Sequence, residues 1–429
     1  MNPAAALTVA PPASPRLAAA LAPLESSAEG LEALYRELHA APELSTRETA
    51  TAARLARLLR DLGFEVTERV GGTGIVGVLA NGEGPVVMLR ADLDGLPVEE
   101  RTGLPYASRV TATGDDGRPV PVMHACGHDV HMTVWAGAAA LLAEAKASWR
   151  GTLVLVGQPA EEKGAGAMTM LADGLFSRFP RPSFAVAAHV SPELPAGTVG
   201  VTPGPAFASV DSVDLTIHGK GGHGAMPHRT VDPVLIGART VVALQALVSR
   251  EKDPFEPAVV TVGSFQAGSK HNVVPPEARL KITVRAFREE VRQRLLEGIR
   301  RVATGESIAG DSPSAPEISI VESTPGVVND PALTGRLRSA FASALGSASV
   351  VDLPPASVSE DFSYFGREGV PASIFWLGAA NPEALARARA EGRSLPPLHS
   401  AEFAPDAAPA IRTGVTALVS AALELLPPG

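Results

Sequence analysis

At 429 residues with 45% apolar side chains, the chain carries material for more than one core, and two domains are the natural expectation. A net charge of −9, a pI near 5.6 and the lack of any basic block exclude nucleic acid and an anionic membrane surface as principal partners, so an acidic ligand must be met by individually placed cations. The single cysteine excludes an intramolecular disulfide framework and fits a reducing, cytoplasmic compartment.

Residues 1–27 are rich in Ala and Pro, lack a cationic start, and are interrupted by Pro11, Pro12 and Pro15, so they read as a disordered leader rather than a signal peptide. No later apolar run reaches the ~18–20 residues of a membrane span. Leu31, Leu34, Tyr35 and Leu38 recur at helical spacing over residues 30–39, and Pro42 ends that helix. A second helix is expected over 45–62, opened by Ser45-Thr46-Arg47-Glu48 in the form of a capping box. His39, at a helix end, reads as structural. Strands follow at 64–70 and 75–80.

The run Pro85-Val86-Val87-Met88-Leu89 suits a strand buried on both faces, and its carboxyl end delivers Arg90, Asp92 and Asp94. Ligand crevices in open α/β sheets lie outside such ends. The stretch Met123 to Val130 holds the only cysteine, with Gly127 between Cys126 and His128, a spacing that can turn thiolate and imidazole toward one centre. Taken alone, the pair reads more readily as a small buried Cys beside a satisfied His, and only the other polar residues of the chain reverse that preference. Two further apolar strands, 151–157 and 184–188, run into Glu161-Glu162 and His189, and a loop after the strand 373–378 carries His399. Six thiolate, imidazole and carboxylate groups exceed what one ion needs and suit two. Adjacent carboxylates repel unless cations lie between them. One can hold metal while its neighbour takes a proton from a bound water, whose pKa a divalent ion lowers toward ~7, and passes it to a leaving amine.

From about residue 203 to 315 the texture changes to β-α-β-β-α-β, a ferredoxin-like insert between Gly/Pro/Ser-rich boundaries, with candidate metal groups before it (28–202) and after it (316–429). Gly219 to Gly224 lacks the Gly-Lys-Ser/Thr ending of a phosphate loop. Helices are expected at 330–345 and 408–426, and Glu360 and Asp361 read equally as pocket-lining or helix-capping acids.

Taken together, Leu38-His39 with Pro42-Glu43-Leu44, Arg90 to Pro97, His124-Ala125-Cys126-Gly127-His128-Asp129, Gln158 to Glu162, Gly221 to His228, Ser359 to Phe362 and Leu398-His399-Ser400 resemble, in order, the M20 family of dinuclear metallopeptidases and amidohydrolases. The likeness is to the branch with hippurate hydrolases, indole-acetyl-amino-acid hydrolases and N-acetyl-diaminopimelate deacetylases. It implies an α/β catalytic domain with a mixed sheet and an inserted ferredoxin-like dimerisation domain. It implies that Cys126, His128, Glu162, His189 and His399 hold two divalent ions, that Glu161 is the general acid/base, and that Asp92 orients a ligand, with Asp129, His124 and His131 as further supports. It also places His223 at the partner's active site in a homodimer and sets Asn272 and Arg285 on the substrate carboxylate. Arg285 makes sense as a bidentate grip in an acidic protein, with a surface strand Arg as the lesser alternative. The expected reaction is cleavage of N-acyl amino acids, or of small dipeptide-like amides as in a carboxypeptidase, with Zn, Mn, Co or Ni. Two other readings are a Cys/His nucleophilic amidase built on Cys126 and a non-catalytic, metal-loaded peptide-binding protein. The loops 111–122 and 382–395 are longer than the family pattern, so specificity does not carry over from it.

Overall fold

In the computed structural model, which describes residues 14–429, the chain divides into two units. Among the described residues the first contains 14–204, 328–354 and 364–429; the second contains 205–327 and 355–363.

The first unit is built on an eight-stranded mixed sheet. At its centre Val86–Asp92 runs parallel to Gly151–Gln158 on one side and to Phe184–Pro195 on the other, and Ala372–Ala380 continues the parallel set. These strands are apolar on both faces because helices cover them. The helices His128–Glu144 and Ala407–Leu425 pack on each other and on the sheet, with Leu24–Ala40 and Thr49–Asp61 extending that layer. His128–Glu144 carries no amphipathic stripe and escapes the periodicity argument, because it is buried on nearly every side. Long loops are partly structured too: Thr111–Thr113 pairs with Pro119–Pro121, and Pro382–Ala390 is a helix.

Residues 15–27, expected to be leader, are instead folded. Pro15–Leu21 is a helix whose Leu17 and Ala20 are buried against the C-terminal helix, and Leu24 begins the next helix. Pro15 sits in the first turn, where a missing N–H costs nothing, and the Ala/Leu content then favours helix. Residues 1–13 lie outside the described residues.

The second unit is the expected β-α-β-β-α-β, with strand order Ala258–Ala267, Glu277–Ala286, Ser209–His218, Glu317–Thr324 and all neighbours antiparallel. Alternate residues Val213, Leu215 and Ile217, with Leu280, Ile282 and Val284, face the helices Pro233–Arg250 and Glu289–Ala309. The unit extends past residue 315 because Glu317–Thr324 hydrogen-bonds along Ser209–His218, a pairing remote in sequence. Pro233–Arg250 has the length and composition of a membrane span, but Ile236, Thr240, Leu244 and Leu247 lie in this core. A buried ion pair, Arg292 Nε to Asp211 Oδ2 at 2.7 Å, ties the second helix to the first strand.

Candidate metal centre

Each donor is set by a local feature of the first unit. Gly127 adopts φ 78, and a Cβ there would lie 2.5 Å from Val190 Cγ2, so only glycine lets the chain turn between Cys126 and the helix that starts at His128. His189 lies within the strand Phe184–Pro195, not at its end, opposite Trp376 of Ala372–Ala380. His399 is held left-handed at φ 66 while its N–H donates to Ala125 O at 2.8 Å, which ties its loop to the cysteine's neighbour. Ala160, at φ 50, turns the chain after Gly151–Gln158 so that Glu161 and Glu162 follow in a short 3₁₀ turn.

The donors converge. Cys126 Sγ is 3.3 Å from His399 Nε2 and 3.6 Å from His189 Nε2. Glu162 reaches His399 Nε2 at 3.5 Å and His128 Nε2 at 3.8 Å, and Glu161 Oε2 is 3.9 Å from His128 Nε2. Such N···O separations are too long for good hydrogen bonds. The two Glu162 separations lie within the ~3.3–3.8 Å expected between donors that bind at ~2.0–2.3 Å around a tetrahedral cation, and the Glu161 separation lies just beyond it. Cys126 belongs to two compact groups, one with His128 and His189 and one with Glu162 and His399, as a donor shared by two ions must. Among the described residues, His128 Nε2 and Glu162 Oε1 are buried without a hydrogen-bond partner, the condition of atoms reserved for a ligand.

Burial and neighbouring charge act differently on the individual donors. Burial pushes the Glu162 carboxyl up to about 7, beyond what His128 can pull back. Burial also opposes a charged His128, but Asp92 and Asp94 overcome it and lift the imidazole to about 10. Burial, with His131 and His128 nearby, keeps His189 neutral with its pKa well below the ordinary value, and burial lowers His399, leaving both lone pairs free for metal. The side chain of His399 is 54% exposed and marks the open side of the group.

Behind the donors stands a layer of supports. Asp92 accepts from Arg90 Nη1 at 2.8 Å and His131 Nδ1 at 2.7 Å, and its Oδ2 lies 3.7 Å from His128 Nε2. His131 also approaches Asp92 and His128 in a possible donor group, but both its ring nitrogens are committed: Nε2 accepts from Val190 N–H at 2.9 Å. It bolts the His128 helix to the His189 strand. His124 is buried, pushed down to about 4 by that burial, and falls in none of the donor groups among the described residues. His39 is structural: Nδ1 contacts Asp129 Oδ2 at 2.7 Å and Nε2 contacts Glu100 Oε1 at 3.0 Å, all three nearly unexposed. Burial disfavours its charge, yet Asp129 and Glu100 raise its pKa to about 9. Its stabilising contribution is therefore complete below the ordinary 6.5 and lost as pH climbs through about 9. Replacing His39 with Ala strands two buried carboxylates and should cost about 3–5 kcal/mol. Denaturant melts should show the gap between wild type and variant closing as pH rises through that upper value.

Asp94 and Glu48 accept hydrogen bonds from the backbone of the Glu161-Glu162 turn but are hard to see in sequence. Asp94 appears only as one more acid at a strand end, and Glu48 looks like half of a capping box. In the structure the helix Thr49–Asp61 has no side-chain cap bond from Glu48.

The second unit holds the remaining predicted residues. His223, exposed, pairs with Val273 in a separate two-stranded ribbon, and Gly224 N–H donates to Asn272 O at 2.8 Å, so His223 and Asn272 lie side by side. Arg285 is half-buried on Glu277–Ala286, opposite Val210 and Val259, eight residues and about 27 Å along the strand from Glu277, the end where Asn272 lies. A single chain does not bring Asn272 and Arg285 to one carboxylate.

A thiolate, three imidazoles and two adjacent carboxylates thus gather beside a mixed sheet in overlapping groups able to hold divalent ions. The chain belongs to peptidase family M20/M25/M40, whose model matches residues 88–395, and it is a metal-dependent amidohydrolase. It is 38% identical over 346 residues to an N-acetyl-L-cysteine deacetylase of Bacillus subtilis, covering 80% of this chain and 79% of that protein. It is 35% identical over 353 residues to thermostable carboxypeptidase 1 of Saccharolobus solfataricus, covering 81% and 85%. The structure of Bacillus subtilis YXEP protein, described as a dinuclear metal-binding peptidase of the M20 family, superposes with a TM-score of 0.76 at 30% identity over 94% of this chain and 99% of that one.

Proposed function

We propose that the chain hydrolyses N-acyl amino acids to a carboxylic acid and a free amino acid, with Cys126, His128, Glu162, His189 and His399 holding two divalent ions and Glu161 moving the proton. The observation that carries this is the Glu161-Glu162 turn: one carboxylate faces His399 and His128 as a donor, and its neighbour stands 3.9 Å from His128 at the rim of the same group. When bound, the ions supply polarisation of the amide carbonyl and a water acidic enough to be activated near neutral pH. Glu161 accepts that water's proton and returns it to the leaving nitrogen. Asp92 and His131 keep His128 and the His189 strand in register.

The family resemblance assigns His223 of the partner subunit to the scissile carbonyl. Because Asn272 precedes the start of the strand Glu277–Ala286 and Arg285 lies near its far end, a shared grip on the substrate carboxylate requires Arg285 from one subunit and Asn272 from the other, which makes a homodimer part of this reading. Cytoplasmic placement fits a lone cysteine committed to metal. The carboxypeptidase relative supports a second reading, cleavage of a C-terminal residue from small peptides. A panel of N-acetyl, N-benzoyl and N-succinyl amino acids alongside dipeptides, scored for released amino acid, separates the two. Tight binding without turnover across the panel identifies a binding protein and overturns both.

A further inference from the structure

The segment Ser45 to Glu48 opens no capping box. The Glu48 side chain is fully buried, and its carboxylate points away from its own helix. Oε1 accepts from the Ala160 N–H at 2.8 Å and from Thr46 N–H at 2.9 Å, while Oε2 accepts from the Thr73 hydroxyl. Asp94, 1% exposed, takes the next two amides: Oδ1 accepts from Glu161 N–H at 3.2 Å and Oδ2 from Glu162 N–H at 3.0 Å. Ser45 then donates its hydroxyl to Asp94 Oδ2 at 2.6 Å. Three successive backbone N–H groups, at 160, 161 and 162, thus end on two buried carboxylates that one short segment reaches.

Such a concavity of amides, opened by the left-handed Ala160, is an anion cradle, here filled by the protein's own acids. Burying two carboxylates this close is costly: burial first, and then Asp94, raise the Glu48 pKa. A turn with only a structural task is served as well by water or carbonyl oxygens. What the cradle adds is direction. In a 3₁₀ turn consecutive side chains point about 120° apart, so fixing the amides of Glu161 and Glu162 sends one carboxylate to the donors and the other to the reacting water. The opposite wall is equally close: a Cβ on Gly166 would meet Pro159 O at 1.5 Å, and Gly166 N–H donates to Ala160 O at 3.2 Å.

We propose that Glu48 is a positioning residue which, with Asp94, holds the Ala160 to Glu162 turn so that its two glutamates diverge into separate roles. The proposal rests on the roles given above to Glu161 and Glu162. A displacement of about 1 Å at a reacting group can cost 10²-fold in rate, and loss of a support behind a metal ligand about 10–100-fold in affinity.

The test compares Glu48→Ala, Glu48→Gln and the milder Thr73→Val with Leu55→Ala, a core truncation in the helix that follows Glu48 which removes none of the cradle's hydrogen bonds. Hydrogen exchange of the peptide spanning 159–164 reads the cradle directly and needs no bound metal. Chelator competition reads metal affinity, and kcat, KM and the acid limb of the kcat profile read the consequence. Glu48→Ala should lose protection in that peptide, bind the more weakly held ion about 10–100-fold less tightly, and lose kcat more than KM. Glu48→Gln should recover part of each, since its amide oxygen still accepts from Ala160 and Thr46. Thr73→Val should move the same readouts less, and it keeps the test decisive if Glu48→Ala does not fold. Wild-type protection at 159–164 in the folded variants, or metal affinity and a kcat profile no different from Leu55→Ala at matched stability, overturns the proposal. If Glu161→Gln keeps full turnover while Glu48→Ala loses protection and metal affinity, the assignment of the base fails and the cradle stands.

Discussion

Glu161→Gln is expected to lower kcat about 10²–10⁴-fold with metal content unchanged. The amide side chain matches the carboxylate in shape, and the Glu161 backbone N–H that Asp94 accepts is untouched, so the turn should keep its course. What disappears is a group that can take a proton from water and give it to the leaving nitrogen. Elemental analysis beside steady-state kinetics checks both halves of this result. Wild-type turnover at full metal occupancy would remove Glu161 from the base position and return attention to Glu162.

Removal of the metals should abolish hydrolysis, and single additions of Zn, Mn, Co or Ni should restore it to differing degrees. The thiolate and imidazoles favour Zn, Co or Ni on ligand softness. The same treatment should lower stability, because ions that bind only the folded state at 1,000 times their Kd contribute about 4 kcal/mol. Thermal melts with and without chelator measure this. The experiment also discriminates chemistry. With imidazole nitrogens 3.3 and 3.6 Å from its sulfur, Cys126 is placed as a nucleophile's histidine partner would require too. Activity that survives chelation but not alkylation of Cys126 would make this a cysteine amidase. Under that reading Glu162, buried and unpartnered at Oε1, would have no task.

Several candidate donors were legible in the sequence through a local signal, a glycine between Cys126 and His128 or two glutamates side by side, whereas the full set, with His399 on a loop that carries none, came from the family resemblance. The insert was legible because its alternation of helix and strand is local as well. Three things were not. The helix His128–Glu144 is buried all round and so lacks a periodic stripe. The helix Pro15–Leu21 draws its stability from the C-terminal helix some 390 residues away in sequence, which composition alone does not reveal. Glu48 matched a capping box in spacing, yet its partner is Ala160 rather than the start of its own helix.

The sequence by itself determined which thiol, imidazoles and carboxylates are present and in what order. The tertiary structure alone decided which of them meet and what holds them. A donor's identity is a property of one residue, whereas a hydrogen bond between Glu48 and Ala160, or the commitment of both His131 nitrogens to Asp92 and Val190, depends on contacts between segments tens of residues apart, which no local pattern encodes.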